Sequence, residues 1–211
     1  MVPTPDDEPG GAAAPTARAE YADRLARLQG ARWKQWVDVQ APYRRHVRRL
    51  RLGRTVDVGC GLGRNLAWLD EGSVGVDHNP FSVDVARSRG LDAWTDGEFF
   101  ADPRLSAPAS YDGLLAAHLV EHIPADQIVD ILAPYVALLR PGGRAAFITP
   151  MERGFASDAT HVRFSDTAVL VDLCGRLGLD VRRTYSFPFP RWTGRLFTYN
   201  EFVVLAQKPS A

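Results

Sequence analysis

The chain of 211 residues has few lysines, few cysteines and no excess of either charge. Lys34 and Lys208 are its only lysines, so nearly all of its 25 basic residues are arginines, which is typical of a GC-rich coding bias rather than of a phosphate-binding surface. Acidic residues also number 25, and this balance gives no overall field directed at DNA or at an anionic membrane. The only cysteines, Cys60 and Cys174, lie in a glycine-rich turn and in an expected buried helix, which indicates a reducing compartment and no disulfide.

Long apolar runs are also missing. No segment approaches the roughly 20 residues that a membrane-spanning helix needs, and no charged-then-apolar leader is present. The length allows one well-buried domain and is too short for two full ones. We therefore expect a cytoplasmic protein with one main domain and no membrane association.

Strand-like and helix-like segments alternate along most of the chain. The patterns predict strands at 55–59, 73–77, 91–95, 111–117, 144–149, 180–185 and 201–207, and helices at 62–69, 80–87, 125–139 and 166–177. Residues 96–110, which contain two prolines, are expected to form a loop. Such alternation predicts an α/β fold with a doubly wound, Rossmann-like sheet of seven mostly parallel strands. Because a loop rather than a helix joins the last two strands, the last strand is expected to be antiparallel.

The N-terminal part has a different composition. Residues 1–16 are mainly proline, glycine, alanine and acidic residues, which predicts a disordered tail. Residues 17–53 carry apolar residues at helical spacing, with Pro42 expected to separate two helices. This helical segment is expected either to form a lid over a ligand or to pack Trp33 and Trp36 on the sheet. The main domain is expected at 54–208.

A glycine-rich turn follows the first predicted strand. The segment Thr55–Asn65 reads Thr-Val-Asp-Val-Gly-Cys-Gly-Leu-Gly-Arg-Asn, with Gly59, Gly61 and Gly63 at alternate positions. Glycine lets the backbone pass close to a ligand, and the N–H groups at a helix start face that ligand. A plain tight turn needs fewer glycines, whose ordering costs backbone entropy. The spacing therefore favours a ligand-binding turn.

Two acidic residues flank this turn. Asp77 ends the second predicted strand, where its carboxylate can accept from both hydroxyls of a ribose, although aspartate also caps helices. Asp57 lies two residues before the first glycine and would face a dianion at a pyrophosphate site, so it suits a cationic ligand. The dinucleotide pattern G-x-G-x-x-G is not met, because Arg64 occupies the position of the third glycine. This spacing disfavours a nucleotide-dependent oxidoreductase.

Together, the turn and its two acids resemble the first two motifs of class I S-adenosylmethionine-dependent methyltransferases, whose cofactor carries a sulfonium and an ammonium group. The segment Leu139-Arg140-Pro141-Gly142-Gly143 resembles the turn before the fifth strand of that family. The resemblance covers about 54–208 and implies S-adenosylmethionine as cofactor. It implies cofactor contacts from Asp57, Gly59, Cys60, Gly61, Gly63, Asp77, His78, Asp96, Gly97 and His118, with the adenine near Asp96 and Gly97.

Histidines cluster after the fourth predicted strand. His118-Leu119-Val120-Glu121-His122 matches the H-x-x-E-H pattern of inverted zinc proteases. That pattern requires both histidines on one helical face and a third ligand from elsewhere. Here it begins at a strand end and is followed by Ile123-Pro124, which opposes a continuous helix. We therefore expect no metal site, and we expect the purified protein to carry no zinc. The segment instead resembles the fourth motif of small-molecule methyltransferases, which passes under the transferring methyl group.

A third histidine is a candidate for proton transfer. His161 lies in Thr160-His161-Val162-Arg163-Phe164, which resembles a segment of methyltransferases acting on metabolites, sugars and glycan ends. An imidazole can accept the proton that an alcohol loses during transfer. His161 is the predicted general base, with His122 as the rival; the alternative is that His161 only forms hydrogen bonds within its loop.

The expected acceptor is a hydroxyl group of a small molecule or sugar. Enzymes that methylate nucleobase or glutamine amino groups usually carry Asn/Asp-Pro-Pro-aromatic at the end of the fourth strand, and this chain does not. The basic run 44–51 is interpreted as a solvated helix face rather than a phosphate grip, which disfavours a nucleic-acid partner. An RNA or protein methyltransferase and a non-catalytic cofactor-binding protein that supports a partner remain the alternatives. The sequence gives no indication of oligomeric state.

Overall fold

The computed structural model describes residues 40–210, so the expected tail 1–16 and most of the helical segment 17–53 lie outside the described residues. Seven strands form a single sheet. They are β1 (Thr55–Val58), β2 (Val74–Asp77), β3 (Ala93–Thr95), β4 (Tyr111–Ala117), β5 (Leu139–Pro150), β6 (Asp180–Phe187) and β7 (Glu201–Gln207). The α-helices are α1 (Ala41–Arg49), α2 (Pro80–Ser88), α3 (Asp96–Ala101), α4 (Ile128–Leu138), α5 (Glu152–Phe155) and α6 (Thr167–Arg176).

The strand order across the sheet is β3-β2-β1-β4-β5-β7-β6. The first five of these strands pair in parallel, whereas β7 is antiparallel to both β5 and β6. The expected doubly wound sheet with an antiparallel last strand is therefore confirmed. Because the chain runs from β1 outward to β3 and then returns to β4 on the other side of β1, the order reverses at β1. Ligands of open α/β sheets bind at the carboxyl ends of strands beside such a reversal.

The sheet separates two apolar layers. On one face, α4 and α6 pack on alternate strand residues such as Val56, Leu114 and Phe147. On the other face, Val47 of α1 packs against residues of opposite parity, including Leu115. Residues that alternate along a strand point to opposite faces, so burial on both faces explains why these strands read as continuous apolar runs.

The turn region after β1 differs from the expectation. The sequence pattern predicts a helix at 62–69, but only the 3₁₀ turn Leu66–Trp68 forms there. Gly61 and Gly63 have φ values of 53° and 79°, which an α-helix cannot include. The short turn ends at Leu69, whose backbone is extended.

Two further boundaries are corrected. The expected loop 96–110 begins with α3, because Thr95 and Glu98 form a capping box in which each side chain bonds the backbone N–H of the other. The fifth strand begins at Leu139 rather than at residue 144, and an irregularity in its pairing with β4 accommodates the Pro-Gly-Gly segment. Within residues 40–210, no helix has both the length and the apolar character needed to cross a bilayer.

Candidate active site

The glycine turn, residues 59–63, lies at the carboxyl end of β1. The backbone N–H groups of Gly59 and Cys60 both donate to the carbonyl of Val76, which ties the turn to β2. A Cβ atom placed on Gly63 would lie 2.3 Å from Leu91 Cδ1, whereas one placed on Gly61 would meet nothing within 4 Å. A side chain on Gly63 would also displace Leu91 and adopt a φ of 79°, which favours glycine, whereas Gly61 borders open space.

Asp77 connects the glycine turn to β2. Its Oδ2 accepts from the N–H of Gly61 at 2.8 Å, and its Oδ1 accepts from the N–H of Asn79 at 2.9 Å. Helix α2 is capped by the side chain of Asn79, not by Asp77. A carboxylate has about four lone-pair sites, so the carboxylate of Asp77 retains capacity for further donors. The exposed side chain of neighbouring His78 lies beside it, with 3.6 Å between Nδ1 and Oδ1.

Asp57 is a buried acid without a full set of partners. It is 1 % exposed, and its Oδ2 has no hydrogen-bond partner. The pKa of Asp57 is raised to about 7, mainly by burial; Arg64 and the N–H of Leu66 oppose this shift, and Asp77 adds to it. A cationic ligand would supply a positive charge that stabilises the ionised form of this carboxyl group. The orphaned oxygen and the open space at Gly61 therefore fit a cofactor with a sulfonium and an ammonium group.

Asp96 and Gly97 lie at the start of α3, next to β3. The hydroxyl of Tyr135, from α4, donates to Asp96 Oδ1 at 2.5 Å. A Cβ atom on Gly97 would meet nothing within 4 Å. Cys60 is buried, and burial raises the pKa of its thiol, with Asp57, Asp77 and Asp96 adding to the shift. Asp57, Cys60, Asp77 and Asp96 therefore lie near one another at the carboxyl ends of β1, β2 and β3, whereas His118 belongs to a different group.

A second group of side chains, the histidine centre, comprises His118, Glu121, His122, His161 and Glu201. His118 follows β4 with a φ of 59°, and its N–H donates to the carbonyl of Ile148 at 2.9 Å. Its Nε2 lies 2.7 Å from Glu201 Oε1, and its Nδ1 lies 3.2 Å from Glu121 Oε1. Burial alone would lower the pKa of His118, but the two carboxylates outweigh it and raise the pKa to about 10. His118 is therefore an imidazolium between two buried acids.

The two rival bases lie in contact. The ring centroids of His122 and His161 are 4.8 Å apart. His122 Nδ1 is 3.2 Å from the carbonyl of Thr160, and His161 Nδ1 is 2.7 Å from the carbonyl of Phe155. Burial lowers the pKa of His122. One ligand atom from each of Glu121, His122 and His161 lies within 4.8 Å of the others, a grouping that the sequence did not suggest.

Glu201 was also missed. It lies at the start of β7, and its contact with His118 joins residues 83 positions apart. A charged residue opening an otherwise apolar strand is the one signal that the sequence offers. Glu121 was noticed only as part of the H-x-x-E-H pattern, and its full burial could not be read from that pattern.

Comparison with known proteins gives consistent matches. Residues 55–143 match the family model described as a methyltransferase domain. The methyltransferase GfsG of Streptomyces halstedii is 31 % identical over 131 residues, covering 57 % of this chain and 44 % of that protein. The ubiquinone biosynthesis O-methyltransferase of Paracidovorax citrulli is 27 % identical over 136 residues, covering 54 % of this chain and 56 % of that one. The chain thus spans about half the length of the curated relatives that it matches.

A solved structure supports the fold. The S-adenosylmethionine-dependent methyltransferase of Archaeoglobus fulgidus superposes with a TM-score of 0.63 at 18 % identity, over 79 % of this chain and 93 % of that one. This likeness shows the fold, and the match over 55–143 shows a methyltransferase domain there, in agreement with the expected enzyme class and its cofactor, S-adenosylmethionine. The individual site residues stay predictions.

Proposed function

We propose that this chain, which carries a class I S-adenosylmethionine-dependent methyltransferase domain, transfers a methyl group to a hydroxyl of a small molecule or sugar. The observation that carries the proposal is the arrangement of two sites at one edge of the sheet. The glycine turn follows β1, and the histidine centre follows the adjacent strand β4. The glycine turn with its acidic residues, which suits a cationic ligand, thus lies beside histidines that are able to accept a proton.

In this proposal, the glycine turn and its acids hold the cofactor. Asp77 accepts from the ribose hydroxyls, and Asp57 faces the positive charge of the methionine part. Asp96 and Gly97 border the adenine, and His118 lies under the methyl group. The protein aligns the acceptor oxygen with the S–CH₃ bond, since close and directed contact supplies much of the rate of a displacement.

The proton of the hydroxyl is accepted at the pair His122 and His161. Both rings have their Nδ1 atoms on backbone carbonyls, so that Nε2 of each is the atom left for an acceptor. Because the rings are in contact, position alone does not separate the general base His161 from its rival His122. The hydrogen bond of His161 to the carbonyl of Phe155 supports the alternative that His161 only forms hydrogen bonds within its loop.

The acceptor class rests on the segment after β4. The chain has Ala117-His118-Leu119-Val120 there, with His118 clamped by acids, rather than a proline-rich segment that grips an amino group. One relative is named for O-methylation in ubiquinone biosynthesis. In the basic run 44–51, His46 and Val47 are buried while Arg45, Arg48 and Arg49 face solvent, as expected of a solvated helix face. These features favour a metabolite over a nucleic acid.

The described part of the helical segment 17–53 supports a covering role. Helix α1 carries Tyr43, whose hydroxyl is buried without a hydrogen-bond partner. Burial raises the pKa of Tyr43, and Glu201, Asp57 and Glu121 add to this shift while Arg64 opposes it. The guanidinium of Arg64, next to the glycine turn, lies 5.0 Å from the centre of the Tyr43 ring, so that helix α1 contacts the segment that follows the turn, as expected of a covering element.

A methyl-transfer screen tests the proposal. The chain is incubated with S-adenosylmethionine and candidate alcohols, sugars, carboxylic acids and RNA, and release of the demethylated cofactor is measured. We expect turnover with a hydroxyl-bearing metabolite. Turnover with RNA or a protein alone would overturn the acceptor class, and cofactor binding without turnover on any class would favour a non-catalytic role.

The active acceptor then allows a test of the proton acceptor. His161→Ala is expected to lower turnover by about 10²–10⁴, while cofactor affinity and melting temperature stay near those of the parent. His122→Ala is measured beside it. If only His122→Ala loses turnover, the role belongs to His122; if neither does, no protein base is needed.

A further inference from the structure

Glu121, His122 and His161 form a side-chain cluster that the sequence pattern did not group. Glu121 and His122 belong to the 3₁₀ turn after β4, and His161 comes from the segment that follows α5. The three offer one ligand atom each within 4.8 Å of one another. This is not the pair His118 and His122 on which the sequence argued against zinc, because His118 is turned toward Glu201.

The contacts of the two imidazoles with backbone carbonyls favour one tautomer of each ring. A carbonyl oxygen only accepts, so His122 Nδ1 and His161 Nδ1 must carry hydrogens in order to donate to Thr160 and Phe155. In each neutral ring, the lone pair is then on Nε2. Histidines that bind metals show the same arrangement, in which the far N–H donates to a carbonyl or carboxylate that orients the ring.

Glu121 supplies the second line of evidence. It is fully buried, and neither of its carboxylate oxygens has a hydrogen-bond partner among the described residues. Its Oε1 lies 3.2 Å from His118 Nδ1 without the alignment of a hydrogen bond. A buried carboxylate that lacks hydrogen bonds is costly unless a cation compensates it. His118 faces Oε1 through its Nδ1, and Oε2 has no partner among the described residues.

We propose that Glu121, His122 and His161 bind a divalent transition-metal ion. Two imidazole nitrogens and one carboxylate suit zinc, iron, cobalt or manganese, whereas magnesium and calcium prefer oxygen ligands. An ion about 2.0–2.2 Å from each ligand requires ligand separations of at most about 4 Å. The three side chains therefore draw together from their 4.8 Å spacing when the ion binds. Three protein ligands leave coordination positions open.

The role of the ion in catalysis rests on the proposed methyl transfer. The acceptor hydroxyl binds at an open position of the ion and releases its proton to water, because a bound cation favours the ionised oxygen. The oxygen then forms the O–CH₃ bond while the S–CH₃ bond breaks. The electron pair of the broken bond stays on sulfur, which becomes a neutral thioether. In this mechanism the two imidazoles hold the ion, so the role of His161 or His122 as the base applies only to the metal-free site.

Metal binding is tested without any acceptor. The whole chain is stripped with a chelator, dialysed and titrated with Mn²⁺, Co²⁺ and Zn²⁺ by calorimetry, with elemental analysis of the reloaded protein. We expect one ion per chain, bound most weakly for Mn²⁺, and a higher melting temperature with the ion than without it. Absence of a stoichiometric ion in the parent would overturn the proposal.

Matched variants locate the ion. His161→Ala, His122→Ala and Glu121→Gln are each expected to weaken binding at least tenfold. His46→Gln is the control, because His46 contacts Tyr185 rather than this cluster, and it should bind as the parent does. Binding of S-adenosylmethionine reports whether each variant is folded. Parent-like metal affinity in folded His161→Ala would contradict the site.

Chelation during turnover separates this proposal from the previous one. With an active acceptor, removal of the ion should abolish methyl transfer, and re-addition should restore it. Turnover that is unchanged by chelation would remove the ion from catalysis and return His161 to the role of base. A stoichiometric ion with no methyl transfer to any acceptor would contradict the proposed function alone.

Discussion

The glycine turn and the histidine centre lie at the same edge of the sheet but are built in different ways. The glycine turn is held by backbone groups of neighbouring segments, such as the N–H of Gly61 on Asp77. The histidine centre is held by side chains from the segment after β4, from the segment after α5 and from β7. A backbone cradle is set by local glycine geometry, whereas the centre exists only once distant segments have packed. Variants in the two regions should therefore fail in different ways.

The largest expected effect is on the stability of the histidine centre. Glu201→Gln removes one carboxylate from His118 and keeps the shape of the side chain. Loss of one partner of a buried pair costs about 3–5 kcal/mol. Because the side chain of His118 is 32 % exposed, we expect a smaller loss of about 2–3 kcal/mol in the free energy of unfolding. Denaturant titration at neutral pH measures it.

A surface pair provides the control for this variant. Glu152→Gln makes the same chemical change in the partly exposed pair with Arg191, and pairs of that kind contribute about 1 kcal/mol or less. Equal losses in the two variants would show that burial adds nothing to the His118 contact.

The second effect concerns cofactor affinity at the glycine turn. Asp77→Ala leaves the ribose hydroxyls and the N–H of Gly61 without their acceptor, which costs about 1–3 kcal/mol, or about tenfold to a hundredfold in affinity. Calorimetric titration with S-adenosylmethionine measures the change. Asp77→Asn keeps one acceptor oxygen and should lose less. Unchanged affinity in Asp77→Ala, or tight NAD binding by the parent, would refute the assignment.

The third effect is a pH dependence at Asp57. Its pKa is about 7 in the folded chain and about 3.9 when unfolded. Between these values the folded state holds a proton that the unfolded state has lost, so the contribution of Asp57 to stability falls as pH rises from about 4 to about 7. Asp57→Asn should remove this part of the slope, which melting temperatures across that range would show.

The same carboxyl group links cofactor binding to proton release. A cationic ligand favours the ionised form of Asp57. Binding of S-adenosylmethionine near pH 6 should therefore release a proton from the parent and none from Asp57→Asn. Calorimetry in buffers of different ionisation enthalpy measures the release, and an identical release from both proteins would place the titrating group elsewhere.

Local patterns explain which features the sequence predicted well. The expected strands at 111–117 and 201–207 coincide with β4 and β7, because runs of apolar residues bounded by turns are read within one segment. Helix α3 was missed although Thr95 and Glu98 have the spacing of a capping box. The expectation of a helix at 62–69 gave too little weight to the positive φ that Gly61 and Gly63 adopt.

Contacts between distant segments explain the features that the sequence did not predict. His122 and His161 were considered as rivals, and nothing in their separate segments indicated that their rings would touch. Likewise, the pairing of His118 with Glu201 depends on β7 entering the sheet beside β5. Residues of the glycine turn could be named from one motif, whereas the histidine centre required the fold.

The place of β7 also orders events during synthesis. This strand is the last of the seven in chain order, yet it lies between β5 and β6 in the interior of the sheet. Until residues 201–207 have left the ribosome, β5 has an unpaired edge and β6 has no strand beside it, and such edges invite association with other chains. Glu201 belongs to the same strand. Before this strand is synthesised, the sheet therefore lacks β7, and His118 lacks the second of its two buried acids. Closure of the sheet and completion of the histidine centre therefore both depend on β7.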